Sequence, residues 1–248
     1  MKKLVILAIG MMAFISQKEP DIKIFLAGDS TMSVKETSAF PETGWGMPFT
    51  AFWDSSATIF NLAKNGRSTK TFINEGLWKS IQDKAGPGDY VFIQFGHNDE
   101  SIEKLGRYTS PDSFTMNLTR FIKDTRDKKA TPILITPVAR RKFDASGKIM
   151  ETHEQYSKLT REIAASQKVI LIDLDMKSQS LYQEFGVEKS KLLFNYLKPG
   201  EHPNYPDGRE DNTHFNELGA RLIAEIILSE IRLKIPDLAS HIVKPKTK

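Results

Sequence analysis

The chain of 248 residues is 40% hydrophobic and 27% charged and contains no cysteine, a globular composition with enough length for a full core. The missing thiols exclude a disulfide framework, a cysteine nucleophile, cysteine-ligated zinc and lipidation of a cysteine. A formal net charge of +4 without a basic block gives no footing for nucleic-acid binding.

The chain opens with Lys2 and Lys3, then an apolar stretch from Leu4 to Ile15, then polar residues. That stretch is short for a membrane span and has the layout of a secretory signal peptide. Residues 1–19 are therefore expected to hold a signal peptide and the start of the mature chain, with 20–248 as one domain ending in a short tail. The alternative is a first buried strand or helix, since no clean Ala-x-Ala precedes Gln17. The signal reading makes the protein secreted or periplasmic, off the membrane once processed, with a charge of +2 after the two lysines leave.

Five short apolar runs follow at Ile22–Ala27, Thr58–Ala63, Tyr90–Phe95, Pro132–Thr136 and Val169–Ile172. They are nearly continuous rather than alternating, which suits strands covered on both faces of a parallel sheet. Helical patterns lie between them. Ser68 reads as a helix cap, and Ser110-Pro111 as a cap with proline at the first helical position. Phe114, Leu118, Phe121 and Ile122 then follow at helical spacing. Thr152 to Ser166 puts Tyr156, Leu159 and Ile163 on one face. A last helix carries Leu218, Leu222, Ile223, Ile226, Ile227 and Ile231 and stops at Pro236. This alternation predicts an α/β fold, an open parallel sheet with helices on both faces. Ligands of such sheets bind beyond the carboxyl ends of the strands.

Chemistry-bearing residues collect at those ends. The first run closes in Gly28-Asp29-Ser30, which delivers a hydroxyl where the chain must turn. A serine needs a base to take its proton and a third group to orient that base. Asp211 and His214 supply both three residues apart, ahead of the last helix, and a turn or helix start would aim them the same way. The second run leads to Gly66, where the backbone can approach a ligand closely. The third ends in Gly96-His97-Asn98-Asp99, where the Asn98 amide can donate to a developing oxyanion. Each piece alone also reads as ordinary turn or cap chemistry.

Together, Gly-Asp-Ser, the loop glycine, Gly-x-Asn-Asp and Asp-x-x-His in this order resemble the SGNH (GDSL-type) hydrolases over essentially the whole chain after the signal. The wording GDSTM, NLAKNGRSTKTF, FGHND and HPNYPDGREDNTHFNELGA is similar to the rhamnogalacturonan acetylesterase branch, whose members deacetylate the pectin backbone. The resemblance implies a flavodoxin-like three-layer α/β/α sandwich with a five-stranded parallel sheet. It also implies Ser30 as nucleophile, His214 as general base and then acid, Asp211 as its orienting partner, and an oxyanion hole of the Ser30 and Gly66 N–H groups and the Asn98 amide. The implied partner is an acetylated polysaccharide or oligosaccharide, with no cofactor and no obligate protein partner.

Four further residues are expected near substrate. Trp45 could stack on a sugar or pack in the core. Arg67 and Arg209 could receive a galacturonate carboxylate, which arginine suits geometrically, or sit on the surface. His97 could touch substrate or cap a turn. His202 and Tyr205 could shape the cleft wall, while His153 and His241 read as bystanders on helix surfaces. No histidine and acid cluster has metal-ligand spacing, so no metal is expected. Alternatives are an esterase for xylan or a small acyl ester and, in other classes, a non-catalytic glycan-binding domain or a flavin-binding domain. The last lacks the hydroxyl- and glycine-rich first loop that would wrap a phosphate.

Overall fold

The computed structural model describes residues 21–244. The expected signal peptide and the final Pro-Lys-Thr-Lys lie outside the described residues. Five strands, β1 (Ile22–Gly28), β2 (Ala57–Asn61), β3 (Tyr90–Gln94), β4 (Thr131–Ile135) and β5 (Ile170–Ile172), form one sheet in the order β2-β1-β3-β4-β5. Every pairing is parallel. This is the flavodoxin-like order, with a topological switch between β1 and β3.

Successive residues of a strand point to opposite faces, and the core divides accordingly. Ile24, Leu26, Phe92, Ile133 and Ile135 join one buried cluster, whereas Phe25, Ala27, Val91, Ile93 and Leu134 join the other. The first is covered by α1 (Gly46–Phe49), α6 (Leu174–Lys189) and α7 (Glu217–Lys234). The second is covered by α2 (Thr69–Asn74), α3 (Leu77–Lys84), α4 (Pro111–Asp127) and α5 (Glu154–Ser166). A fully buried apolar side chain contributes roughly 1.5–3 kcal/mol, so strands apolar on both faces hold both helical layers.

The caps fall where the sequence places them. Ser68 forms a reciprocal capping box with Thr71 at the start of α2, and Ser110 accepts from Ser113 N with Pro111 opening α4. Other expectations are corrected. Helix α5 begins at Glu154 rather than Thr152. Leu218 is exposed instead of lying on the buried face of α7. Pro236 follows the end of α7 but also opens a short helix, α8 (Pro236–Ala239). Two short strands, β6 (Phe194–Leu197) and β7 (Arg209–Phe215), form a separate antiparallel pair. Asp211 and His214 therefore sit in a strand, and Asn216, not Asp211 or Thr213, caps α7.

Candidate active site

Ser30 stands just past β1 in a turn held by its neighbour. The Asp29 side chain is fully buried, and its Oδ1 accepts from Thr31 N at 2.9 Å and Thr31 Oγ1 at 2.8 Å, while Met32 N and Ser33 N donate to its carbonyl. Burial pushes the Asp29 carboxyl up from the ordinary carboxylate value despite those hydrogen bonds. The Ser30 carbonyl accepts from Lys35 Nζ at 2.6 Å. Lys35 is buried and also donates to Asn65 Oδ1 at 2.8 Å and pairs with Glu42 Oε1 at 2.7 Å. The turn that carries Ser30 is thus fixed to the loop after β2.

His214 reaches Ser30 from β7. Its Nε2 lies 3.0 Å from Ser30 Oγ and its Nδ1 lies 2.9 Å from Asp211 Oδ2. An ionised carboxylate only accepts, so Nδ1 carries a proton, and in the neutral tautomer Nε2 is then the acceptor for the serine hydroxyl. Residues three apart in a flat strand point to opposite faces. Here the chain bends around the acid, because Thr213 N at 2.7 Å and His214 N at 2.9 Å both donate to Asp211 Oδ1. Burial alone would raise the Asp211 carboxyl. The His214 ring and backbone, with Arg209, outweigh that and hold it well below the ordinary carboxylate value.

Three N–H donors belong to residues that line the cleft with the hydroxyl. Gly66 takes φ = +76°, a conformation glycine adopts without strain. The Ser30 and Gly66 amides have no acceptor among the described residues. Asn98 Nδ2 donates one hydrogen to the Arg67 carbonyl at 2.9 Å, which leaves the second free. Ser30, Gly66, Asn98, His97 and His214 line one cleft of about 480 Å³.

The substrate-facing expectations fare differently. Trp45 is fully buried, and its Nε1 donates to Gln94 Oε1 at 2.8 Å, so it packs the core and does not stack on a sugar. Arg67 and Arg209 are not among the cleft-lining residues. Arg67 is tied to Glu75 at 2.9 Å and to the Asn65 carbonyl at 2.7 Å. Arg209 holds Asp211 Oδ2 at 2.9 Å and lies over the Tyr205 ring. His97 does line the cleft, with Nε2 on the Val138 carbonyl at 2.8 Å. Burial, with the neighbouring His153, Arg140 and His214, holds its pKa well below the ordinary histidine value.

His153 is no helix-surface bystander. It is buried behind His97, with ring centroids 4.1 Å apart, and its Nδ1 meets Glu100 Oε2 at 2.9 Å. His241 is likewise buried, with Nδ1 2.6 Å from Ser56 Oγ. His202 lines a neighbouring groove with Phe40 and Met47, and the Tyr205 hydroxyl donates to the Ala39 carbonyl at 2.8 Å. The cations that do line the cleft are Lys104, Arg107 and Arg140. Sequence reasoning missed them, although Lys104 and Arg107 lie in the charged loop directly after Gly-His-Asn-Asp and Arg140 in the loop after β4, where loops of this fold cover a site. Among the described residues no group of three or more histidines and acids is placed to hold a metal ion, and no helix is long and apolar enough to cross a membrane.

A serine, histidine and aspartate in line at the carboxyl edge of a doubly wound parallel sheet have the geometry of a serine-hydrolase triad, a class that spans several acyl-transfer chemistries. The chain belongs to the GDSL-like Lipase/Acylhydrolase family, whose model matches residues 26–222. It is 42% identical to rhamnogalacturonan acetylesterase RhgT of Bacillus subtilis over 93% of this chain and 98% of that one. It is 36% identical to the probable rhamnogalacturonan acetylesterase YesY of the same organism, over 90% and 98% of the two chains. Among solved structures, B. subtilis YxiM superposes with a TM-score of 0.74 at 25% identity, covering 86% of this chain and 57% of that one. A lipase/acylhydrolase of Enterococcus faecalis, at 21% identity and a TM-score of 0.57 over 91% and 99% of the chains, shares the fold.

Proposed function

We propose that this esterase removes O-acetyl groups from acetylated rhamnogalacturonan by a Ser30–His214–Asp211 triad. The observation that carries the chemistry is the unbroken line from Ser30 Oγ to His214 Nε2, 3.0 Å, and from His214 Nδ1 to Asp211 Oδ2, 2.9 Å. The substrate reading is supported by the 42% identity to RhgT over nearly the full length of both chains.

In this mechanism Ser30 Oγ attacks the acetyl carbonyl carbon while His214 Nε2 takes the hydroxyl proton. The carbonyl oxygen, now an oxyanion, accepts from the Ser30 and Gly66 N–H groups and the free Asn98 amide hydrogen, donors fixed before the reaction begins. Asp211 stays ionised and stabilises the imidazolium. His214 then passes its proton to the departing sugar oxygen, which leaves acetyl-Ser30. Water, deprotonated by the same histidine, releases acetate. The signal-like layout of residues 1–19 supports an action outside the cytoplasm, where such polymers occur, and the amino-terminal sequence of exported protein tests that part.

The deciding experiment is acetate release from acetylated rhamnogalacturonan and acetylated xylan by the wild type and Ser30→Ala. Because triad residues act as a unit, the variant is expected to keep its melting behaviour and lose nearly all release. Near wild-type turnover by a folded Ser30→Ala protein would overturn the triad. Equal wild-type rates on the two polymers would overturn the pectic substrate and leave the esterase standing.

A further inference from the structure

Five charged side chains that line the cleft differ in what they are already holding. Glu42 is occupied by Lys35 at 2.7 Å. Arg140 donates to Thr213 Oγ1 at 2.7 Å and faces Glu100 at 3.5 Å. Arg107, in contrast, has no hydrogen-bond or ion-pair partner for its guanidinium among the described residues, and its Nε is buried without an acceptor. Lys104, one turn earlier in the same loop, is exposed and has no side-chain partner among the described residues. Glu103, in the same loop, pairs with neither cation.

Arg107 is also well placed. A Cβ built on Gly66 would come 3.5 Å from Arg107 Nη1, so the guanidinium borders the glycine that offers its amide to the acyl oxygen. The loop that carries it is pinned. Arg107 N and Tyr108 N donate to the Lys104 carbonyl, both at 2.9 Å. Thr109 N donates to the Asp99 carbonyl at 3.0 Å, and Tyr156 holds the Thr109 carbonyl at 2.6 Å. A planar fork of donors with an empty acceptor side, held in a fixed loop at the mouth of the site, is built for a bidentate carboxylate. A buried guanidinium nitrogen without an acceptor is costly to keep, and a bound carboxylate removes that cost.

We infer that Arg107, assisted by Lys104, receives the uronate carboxylate of the polymer chain and sets the preference for acidic over neutral acetylated glycans. The inference rests on the pectic reading above and deepens it, replacing Arg67 and Arg209 as the cations that read the substrate. The ester carbonyl occupies the three-donor pocket, and the carboxylate on or next to the ester-bearing sugar enters the Arg107 fork. A neutral polymer leaves that fork empty.

The test compares kcat and KM for acetate release from acetylated rhamnogalacturonan and from the same polymer with its uronate carboxyls reduced to alcohols. Wild type, Arg107→Gln, Arg107→Lys and Lys128→Gln are assayed side by side, with thermal melts to establish folding. Lys128 is an exposed lysine at the C-terminal end of α4, on the amino edge of the sheet, and controls for overall charge. Wild type is expected to prefer the native polymer. Arg107→Gln should shrink the native-to-reduced ratio of kcat/KM by roughly 10- to 100-fold, the worth of a hydrogen bond to a charged group, mostly through KM. Lys128→Gln should keep the ratio. Arg107→Lys, which keeps the charge and loses the fork, should fall between, and it decides the matter if Arg107→Gln does not fold. Equal losses on both polymers would place Arg107 at the oxyanion or in the scaffold and overturn the inference, as would an unchanged ratio. A wild type that ignores the pectic polymer altogether would overturn the pectic reading itself.

Discussion

Asn98 divides its amide between two tasks. One hydrogen holds the Arg67 carbonyl at 2.9 Å, and with it the loop that carries Gly66, while the other has no acceptor among the described residues, in a residue that lines the cleft. Truncation therefore removes one donor and loosens a second. Asn98→Ala is expected to lower kcat by at least the 10²–10³-fold typical of losing one such donor, with little change in KM, because the oxyanion exists only after attack. Steady-state kinetics on an activated acetate ester read this directly, and a defect confined to KM would assign Asn98 to binding instead. Lys35 serves the same turn from below. All three of its ammonium hydrogens have acceptors, the Ser30 carbonyl, Asn65 Oδ1 and Glu42. Burial lowers its pKa while Glu42 opposes that shift. A charge so far from water persists only with such complete pairing.

The elements that deliver His214 are joined by a clasp. Asn216 caps α7 by accepting from Gly219 N at 3.1 Å, and its own amide donates to the carbonyls of Leu192 at 2.9 Å and Phe194 at 3.0 Å. This contact is close enough that a Cβ on Gly219 would run into the Leu193 carbonyl. Gly219→Ala must therefore push α7 away from the turn at Leu193 that leads into β6, an overpacking cost of about 1–3 kcal/mol. For a protein of this size the melting temperature should fall by roughly 2–12 °C, and the folded fraction should lose esterase activity because β7 moves with the clasp. An alanine variant that melts like the wild type would refute the close-contact account. The same elements mark the limit of what the sequence could tell. The central strands β1, β3 and β4 were legible because burial on both faces leaves continuous apolar runs, while the edge strands β2 and β5, only half-buried, were legible from their apolar sequence alone. Strand β7, Arg-Glu-Asp-Asn-Thr-His-Phe, is polar and mostly half-exposed, so nothing in its pattern separates it from a loop. Ser30, Asp211 and His214 were legible as motif residues, whereas Arg107 sits in a loop without periodicity, and its role depends on which partners it lacks. His153 was misread, and Trp45 was left open between sugar and core, because residue type alone does not tell which side of a loop faces the core.

Across the whole molecule, the site rests on carboxyls buried at the carboxyl edge of the sheet, and these link its stability to pH. Asp99 is fully buried, and burial pushes its carboxyl up to about 7 from the ordinary 3.8 even though Oδ1 accepts from Thr69 N at 2.9 Å and Thr69 Oγ1 at 2.6 Å. Its other oxygen has no partner among the described residues. Between those two pH values the folded chain holds a proton that the unfolded chain has released. Stability from this group is therefore full at low pH and is lost as pH rises towards 7. Asp211 has the opposite sign. Its folded pKa lies below the unfolded value, so its contribution is complete above the ordinary carboxylate range and fails only as pH falls through the lowered folded value. Asp99→Asn removes the first linkage and keeps the second. The variant's melting temperature minus that of the wild type should climb from pH 5 to pH 7 and level off by pH 8. The change corresponds to at most about 3 kcal/mol, since each pH unit across the window contributes about 1.4 kcal/mol. Thermal melts of both proteins across that range measure it. A difference that stays constant would mean that Asp99 titrates alike in the folded and unfolded chains, and the buried carboxyl would then lose its part in the pH dependence of the fold.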